Sequence, residues 1–270
     1  MKVSPYTDPA LAEVYHRLTA RHQFAPPARD LVDILRPPCG GLALDVGTGT
    51  GIVAEHIRQT VGPSGRVIGV DAAVEMLRFA KRSARCVAAE IPGLPFKDDS
   101  FDVVTAGFVV SHFHDYGRGL ADLVRVCRPG GRVGVSAWGS LTNPAAQVWT
   151  EVAGGFVDRA RLDQAFTDHI PWDAWFSNCN HVRQALAQVG LADAVLTTRV
   201  YRMQMPTGDF LTSRAASIQG LILRDQLTTD RWRDFTSLAA ETFRDRFGEN
   251  VEYDRDVHFG VGMKVFAGAA

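Results

Sequence analysis

Leu44-Asp45-Val46-Gly47-Thr48-Gly49-Thr50-Gly51 is the stretch that decides the fold. The apolar run from Leu42 to Val46 has the length of a strand buried on both faces of a parallel sheet. Alternating glycines follow, and a helix is predicted from there through about Val61. Glycine lets the backbone turn tightly and approach a ligand with no Cβ in the way. The helix N-terminus beyond offers unpaired N–H groups to a carboxylate or phosphate. Arg66 to Val70 predicts a second strand, ending at Asp71, 20 residues after Gly51. A carboxylate in that position can accept both hydroxyls of a ribose.

Outward from this unit the alternation continues. Residues 73–83 read as a helix, Cys86 to Ala89 as a third strand and Phe101 to Gly107 as a fourth. A helix over 116–128 stops at Pro129-Gly130-Gly131, and Arg132 to Trp138 reads as a fifth strand. Strands alternating with helices imply a parallel sheet, which binds ligands at the carboxyl ends of its strands. Upstream, residues 8–35 read as helical, broken at Pro26-Pro27. Downstream, helices are expected over 143–161, 180–188, 208–224 and 230–247, with strands over 195–205 and 256–266.

Composition narrows the function. The 270 residues suit one α/β core with a cap, and 46% hydrophobic residues can bury a sizeable interior. Net charge is −1 with no long basic run, which argues against a nucleic-acid partner. The N-terminus shows no apolar region of a secretory signal, and no run reaches the roughly 18 apolar residues of a membrane span. Cys39, Cys86, Cys127 and Cys179 are scattered with no C-x-x-C pair, so neither a metal site nor a disulfide framework is expected. They read as reduced thiols of a cytoplasmic protein.

The glycine loop alone is ambiguous, because Gly49-Thr50-Gly51-Ile52-Val53-Ala54 also satisfies the G-x-G-x-x-A form of an NAD site. Two downstream segments decide. One is Ala89-Glu90-Ile91-Pro92-Gly93-Leu94-Pro95-Phe96, continuing to Phe101-Asp102-Val103. The other is Arg128-Pro129-Gly130-Gly131-Arg132-Val133. With the glycine loop and Asp71, these resemble the class I S-adenosylmethionine-dependent methyltransferases, over about residues 40–140. The closest group looks like the small-molecule branch of ubiquinone/menaquinone C-methyltransferases and natural-product methyltransferases. The resemblance implies an α/β, Rossmann-like, doubly wound, seven-stranded, mostly parallel sheet with its last strand antiparallel and a helical cap. It implies an N-terminal lid at 1–39 and a cofactor core at 40–139. Residues 140–270 would complete the core, with cap segments inserted at 140–178 and 207–250.

The resemblance also implies roles. Asp45, Gly47, Thr48, Gly49 and Gly51 would wrap the methionine end of the cofactor, with Asp45 helping to hold its ammonium. Asp71 would take the ribose hydroxyls, and Ala72 and Met76 would pack on the adenine. Ala89, Glu90 and Ile91 would meet the adenine edge, Glu90 standing where the family usually has the shorter Asp. Gly107 would offer its carbonyl to the ammonium, while Asp102 reads as structural. His112, followed by His114, comes after strand four where the acceptor should sit, and an ordinary imidazole pKa near 6.5 suits a general base. Yet sulfonium chemistry needs little from side chains, and the family often carries His here with no shown role. Tyr6, Tyr15, Phe24, Trp149, Phe166, Trp172 and Trp175 are among the aromatics of the expected lid and cap, which suit an apolar or planar small-molecule acceptor. The alternatives are a cofactor-binding protein without methyl transfer, either a cyclase or a regulatory binder, and an NAD-dependent oxidoreductase. The amino-methylating enzymes of DNA and protein are disfavoured, since Gly107-Phe108-Val109-Val110 lacks their Asn-Pro-Pro-Tyr pattern.

Overall fold

A computed structural model describes residues 6–266, so Met1–Pro5 of the expected lid and the last four residues lie outside the described part. Seven strands form one sheet: β1 (Leu42–Val46), β2 (Arg66–Asp71), β3 (Arg85–Ala88), β4 (Phe101–Gly107), β5 (Cys127–Trp138), β6 (Leu191–Pro206) and β7 (Asn250–Lys264). Their order is β3-β2-β1-β4-β5-β7-β6. β1 to β5 pair in parallel, and β7 runs antiparallel to both of its neighbours, as expected of the last strand. The order reverses at β1, which has β2 on one side and β4 on the other. Loops leaving the carboxyl ends there must diverge, and the divergence opens a crevice.

Strand residues alternate between two cores, the period-two pattern of a sheet covered on both faces. Ala43 and Val103 face helices α2 (Ala25–Leu35) and α3 (Ile52–Val61), reached across Leu31, Val53 and Ile57. Leu44 and Val104 face the opposite side, where Leu120 and Leu123 of a helix at Tyr116–Val126 and Ala185 and Leu186 of another at Cys179–Gln188 close over them.

Four expectations are corrected. The N-terminal helix does not break at Pro26-Pro27. A short helix α1 (Pro9–Val14) passes into a π-helical stretch, Tyr15–Phe24, and then into α2. The prolines sit in the first turn of α2, where a missing N–H is no loss. The helix expected over 143–161 divides at Gly154-Gly155, because Asp158 caps a new one at Arg159–His169 by accepting from Arg161 N–H at 2.9 Å. The helix expected over 208–224 divides into Thr207–Ala215 and Ile218–Gln226, with Ser217 capping the second. β6 and β7 start earlier than predicted, at Leu191 rather than Val195 and at Asn250 rather than Asp256. Their pairing continues from Val200 opposite Asp256 to Pro206 opposite Asn250, past the end of β5 at Trp138.

That extension builds the cap. Met203, Met205, Val251 and Tyr253 on the protruding ribbon enter a separate core with Trp149, Phe210, Phe235 and Phe243. The helix Thr229–Phe247 and the helix Pro144–Gly154 supply its outer wall. Trp172, Trp175 and Phe176 pack instead on the sheet side, against Tyr116 at centroid distances of 4.8, 4.8 and 5.3 Å.

Both downstream motifs act as braces. Arg125 donates to the carbonyls of Leu94 and Phe96, while Asp122 accepts from the N–H groups of Gly93 and Leu94 at 2.7 and 2.8 Å. This clamps the Leu94-Pro95-Phe96 segment. Burial acts to raise the Asp122 pKa, but those N–H donors and Arg125 outweigh it and hold the carboxyl below its usual range. Asp102 accepts from Leu42 N–H at 2.6 Å and pairs with Arg128 Nε at 2.6 Å, so it ties the start of β1 to the Arg-Pro-Gly-Gly turn. A Cβ on Gly131 would lie 2.8 Å from the Asp102 carbonyl, which is why glycine ends that turn. Asp102→Ala should leave Leu42 N–H without its acceptor and lower stability by about 1–3 kcal/mol in urea unfolding. Asp102→Asn, which keeps an acceptor, should lose less; equal losses would show that the charge rather than the hydrogen bond matters.

Candidate functional site

At the crevice, nine of the predicted residues line one cavity of about 430 Å³: Gly47, Thr48, Gly49, Asp71, Ala72, Met76, Glu90, Gly107 and His112. Ile91 lines an adjoining space that shares Gly47, Asp71, Glu90 and His112. Asp45, Gly51 and Ala89 border neither space.

The three loop glycines all have positive φ, of 64°, 54° and 89° for Gly47, Gly49 and Gly51, a region that other residues enter with strain. Their surroundings differ. A Cβ on Gly47 would strike Val109 at 2.5 Å, and one on Gly51 would lie 2.9 Å from the Ala80 Cα. A Cβ on Gly49 would meet Met76 Cε at 3.7 Å and otherwise project into the cavity. Gly47 and Gly51 therefore answer to protein packing, and Gly49 keeps a cradle open for something else.

Asp71 stands at the end of β2. Its two oxygens accept from Gly49 N–H at 2.8 Å and Ala73 N–H at 2.9 Å, so it joins the glycine loop to the next helix and still presents lone pairs to the cavity. Burial raises its pKa, opposed by those N–H donors. The charge is felt across the cavity. Tyr6 is pushed up to about 12 by burial and then by Asp71, and burial raises Tyr15 as well. Both phenols stay protonated at neutral pH.

Asp45 is 1% exposed and lies beneath the loop. It accepts from Thr48 Oγ1 at 2.6 Å and Thr105 Oγ1 at 2.7 Å, binding the loop to the centre of β4. Burial pushes its carboxyl up to about 6, against the pull of the two hydroxyls.

His112 does not carry the ordinary imidazole pKa expected from the sequence. It ends a short 3₁₀ turn, Val110–His112, with its ring 6.5 Å from that of Tyr6. Burial, and secondarily His169, bring it down to about 4. The imidazole is neutral at physiological pH and its conjugate acid is strong.

Sequence reasoning did not assign Tyr6, Tyr15, Phe24 and Phe108 to the site, yet they roof the cavity. Phe108 adopts φ 57° directly after β4, and its ring packs on Phe24 at 4.9 Å and on Trp138 at 4.5 Å. Its signal was position alone, the residue after Gly107 at a strand's carboxyl end. Tyr15 and Phe24 come from the π-helical stretch and Tyr6 from the turn before α1, all remote in sequence, and only packing brings them here.

The fold and the cavity define a class, Rossmann-like proteins with a cofactor crevice under a helical cap. Residues 44–135 match a family described as a methyltransferase domain. The chain is 30% identical over 177 residues to a demethylmenaquinone methyltransferase of Lactobacillus johnsonii, covering 60% of this chain and 72% of that one. It is 36% identical to the nocamycin O-methyltransferase of Saccharothrix syringae over 149 residues, 52% of this chain and 51% of the relative. In fold it is similar to phosphoethanolamine N-methyltransferase 2 of Haemonchus contortus in complex with S-adenosyl-L-methionine. The TM-score is 0.57 at 15% identity, over 96% of this chain and 58% of that chain. The chain belongs to the methyltransferase family. No helix among the described residues is long and apolar enough to cross a membrane.

The raised pKa of Asp45 has a sign. The folded protein holds this proton more tightly than the unfolded chain, so Asp45's contribution to stability falls as pH rises from about 4 to about 6. Asp45→Asn should abolish that fall. The stability difference between variant and parent should shift toward the variant by roughly 2–3 kcal/mol over the interval. Denaturant unfolding of the ligand-free proteins at stepped pH measures it; a constant difference would show that Asp45 titrates normally.

Proposed function

We propose that this methyltransferase binds S-adenosylmethionine in the 430 Å³ cavity and transfers the methyl group in line to a small acceptor with an apolar or aromatic body. The observation that carries this reading is the Gly49 cradle opposite Asp71, an opening that no protein atom fills and that ends in a half-buried carboxylate. Gly47, Thr48 and Gly49 would hold the methionine end and Gly107 its ammonium. Asp71 would hold the ribose, Ala72 and Met76 the adenine face, and Glu90 and Ile91 the adenine edge. Asp45 would act indirectly, by fixing Thr48. Gly51 would act by letting α3 start against Ala80. Residues 6–39, the ribbon and its helices form the lid and cap over a core at 40–139. Four unpaired thiols suit a reducing, cytoplasmic setting.

Bound cofactor supplies an electrophilic methyl group on a sulfonium that leaves without protonation. The chain must then place the acceptor atom within about 3–3.5 Å and in line, and exclude water. Tyr6, Tyr15, Phe24 and Phe108 serve the second need as an aromatic roof, and suit an acceptor with a planar apolar face. The relatives named for quinone and nocamycin methylation support such an acceptor.

Asp71→Ala should weaken S-adenosylmethionine binding at least tenfold, since two hydroxyl bonds to a carboxylate are worth about 1.5–3 kcal/mol each. Calorimetry on a variant shown to be folded tests this, and unchanged affinity would remove the ribose assignment.

His112, neutral and weakly basic, is not expected to be an obligatory base. An obligatory base contributes about 10²–10⁴-fold in rate. His112→Ala should therefore reduce kcat on the acceptor less than about 10²-fold, and single-turnover rates should show no wild-type ionisation near pH 6.5 that the variant lacks. A larger loss together with such an ionisation would make His112 the base.

A further inference from the structure

Behind the aromatic roof lies a second, smaller cavity of about 140 Å³, a volume close to one that takes a benzene ring. Tyr6, Tyr15 and Phe24 are shared walls of the two cavities. The far wall comes from the cap helices Thr207–Ala215 and Ile218–Gln226 and presents Arg214. Thr19 Oγ1 and Ser213 Oγ, 2.7 Å apart, fasten this wall to the π-helical segment and so keep Arg214 in place.

Arg214 is unusual in what surrounds it. Its Nη2 donates to Gln219 Oε1, a neutral acceptor. Its Nε is buried without a hydrogen-bond partner. Its guanidinium lies 5.8 Å from the ring centroid of Trp149, whose own Nε1 is also buried and unpaired. No ion pair to Arg214 occurs among the described residues, although twelve other pairs do. Burial brings its pKa down to about 10; Tyr253 partly opposes this and Arg255 adds to it, so the group is still a cation at neutral pH. The residue as a whole is half-buried, with Nε fully covered, and a desolvated cation that serves packing alone could be replaced by an apolar side chain at no loss. One ring face compensates a desolvated charge only in part. A guanidinium has donors and no acceptors, and its fork matches a carboxylate.

We infer that the acceptor is an anion: a ring-sized apolar body bearing a carboxylate, or an equally compact oxyanion, that docks on Arg214 in the cap cavity while its methyl-accepting atom faces the cofactor cavity past Tyr6, Tyr15 and Phe24. Arg214 is then the specificity-determining residue of the acceptor site. The inference rests on the cofactor assignment above and deepens it. It also accounts for a cavity wall that combines aromatic rings with an unpaired charge.

The test uses the full chain saturated with S-adenosylhomocysteine and a matched pair of probes, benzoate and benzamide, titrated by ligand-observed NMR. Benzoate should bind at least tenfold more tightly than benzamide. Arg214→Met should remove the preference, and Arg214→Lys, which keeps the charge without the fork, should retain part of it. Both variants should bind S-adenosylhomocysteine as the wild type does, because Arg214 does not line the cofactor cavity. Equal affinity for the two probes in the wild type, binding of neither, or a preference that survives in Arg214→Met would overturn the inference. If Arg214→Met does not fold, a full preference in Arg214→Lys would overturn it equally. Failure of the wild type to bind S-adenosylhomocysteine at all would strike instead at the cofactor assignment.

Discussion

The backbone turn at the end of β1 is the constraint on which the site depends. Gly47, Gly49 and Gly51 must all hold positive φ within five residues, and the loop so formed is tied at two points. From below, Asp45 grips Thr48 and Thr105. From the side, Asp71 takes the N–H of Gly49. Both ties are carboxylates desolvated enough to raise their pKa, so both would be costly if their hydroxyl or N–H donors were removed. The loop is therefore held in shape by charged hydrogen bonds within the protein itself, an arrangement that would spare ordering entropy in the proposed binding of cofactor.

A division of labour follows. Of the motifs that mark this domain, the Leu-Pro-Phe segment and the Arg-Pro-Gly-Gly turn make no contact with the cavity. They are mechanical. Arg125 and Asp122 clamp the former, and Arg128 and Asp102 anchor the latter to the start of β1. Only a few backbone positions and side chains are left to face the ligand, as suits a reaction in which the cofactor brings the leaving group and the protein brings placement. The cap is similarly economical. It grows from the overhang of β6 and β7 beyond β5, so the sheet that positions the cofactor crevice also carries the helices that cover it.

Much of the site was legible because its parts are local. A glycine run after an apolar strand and an acid at the end of the next strand specify a turn and a carboxylate whatever else the chain does, and nine predicted residues meet in one cavity. The misreadings share a cause. That the Asp45 carboxylate binds Thr48 and Thr105 beneath the loop was not legible, because it is a matter of strand pleat and neighbour. The helix breaks after Gly154 and after Ala215 were missed because the caps Asp158 and Ser217 start new helices there, and apolar spacing carries no sign of it. The β7 side of the overhang was missed because polar and charged residues such as Glu252 and Asp254 alternate there, exposed to solvent and paired across the ribbon with Arg202 and Gln204 of the expected β6.

By itself, the sequence determined what depends on backbone torsion and on period: the positive-φ turn, the order of parallel strands and helices, and the acid at the end of β2. Only the tertiary structure decided what depends on burial. His112 falls to about 4 and Tyr6 rises to about 12 because of the side chains that close over them. Arg214 has no carboxylate partner among the described residues because the cap folds it against Trp149 and Gln219. Torsional preference belongs to a residue and its immediate neighbours, so it is written in the chain. Desolvation belongs to the packed whole, and residues remote from one another in sequence set it together.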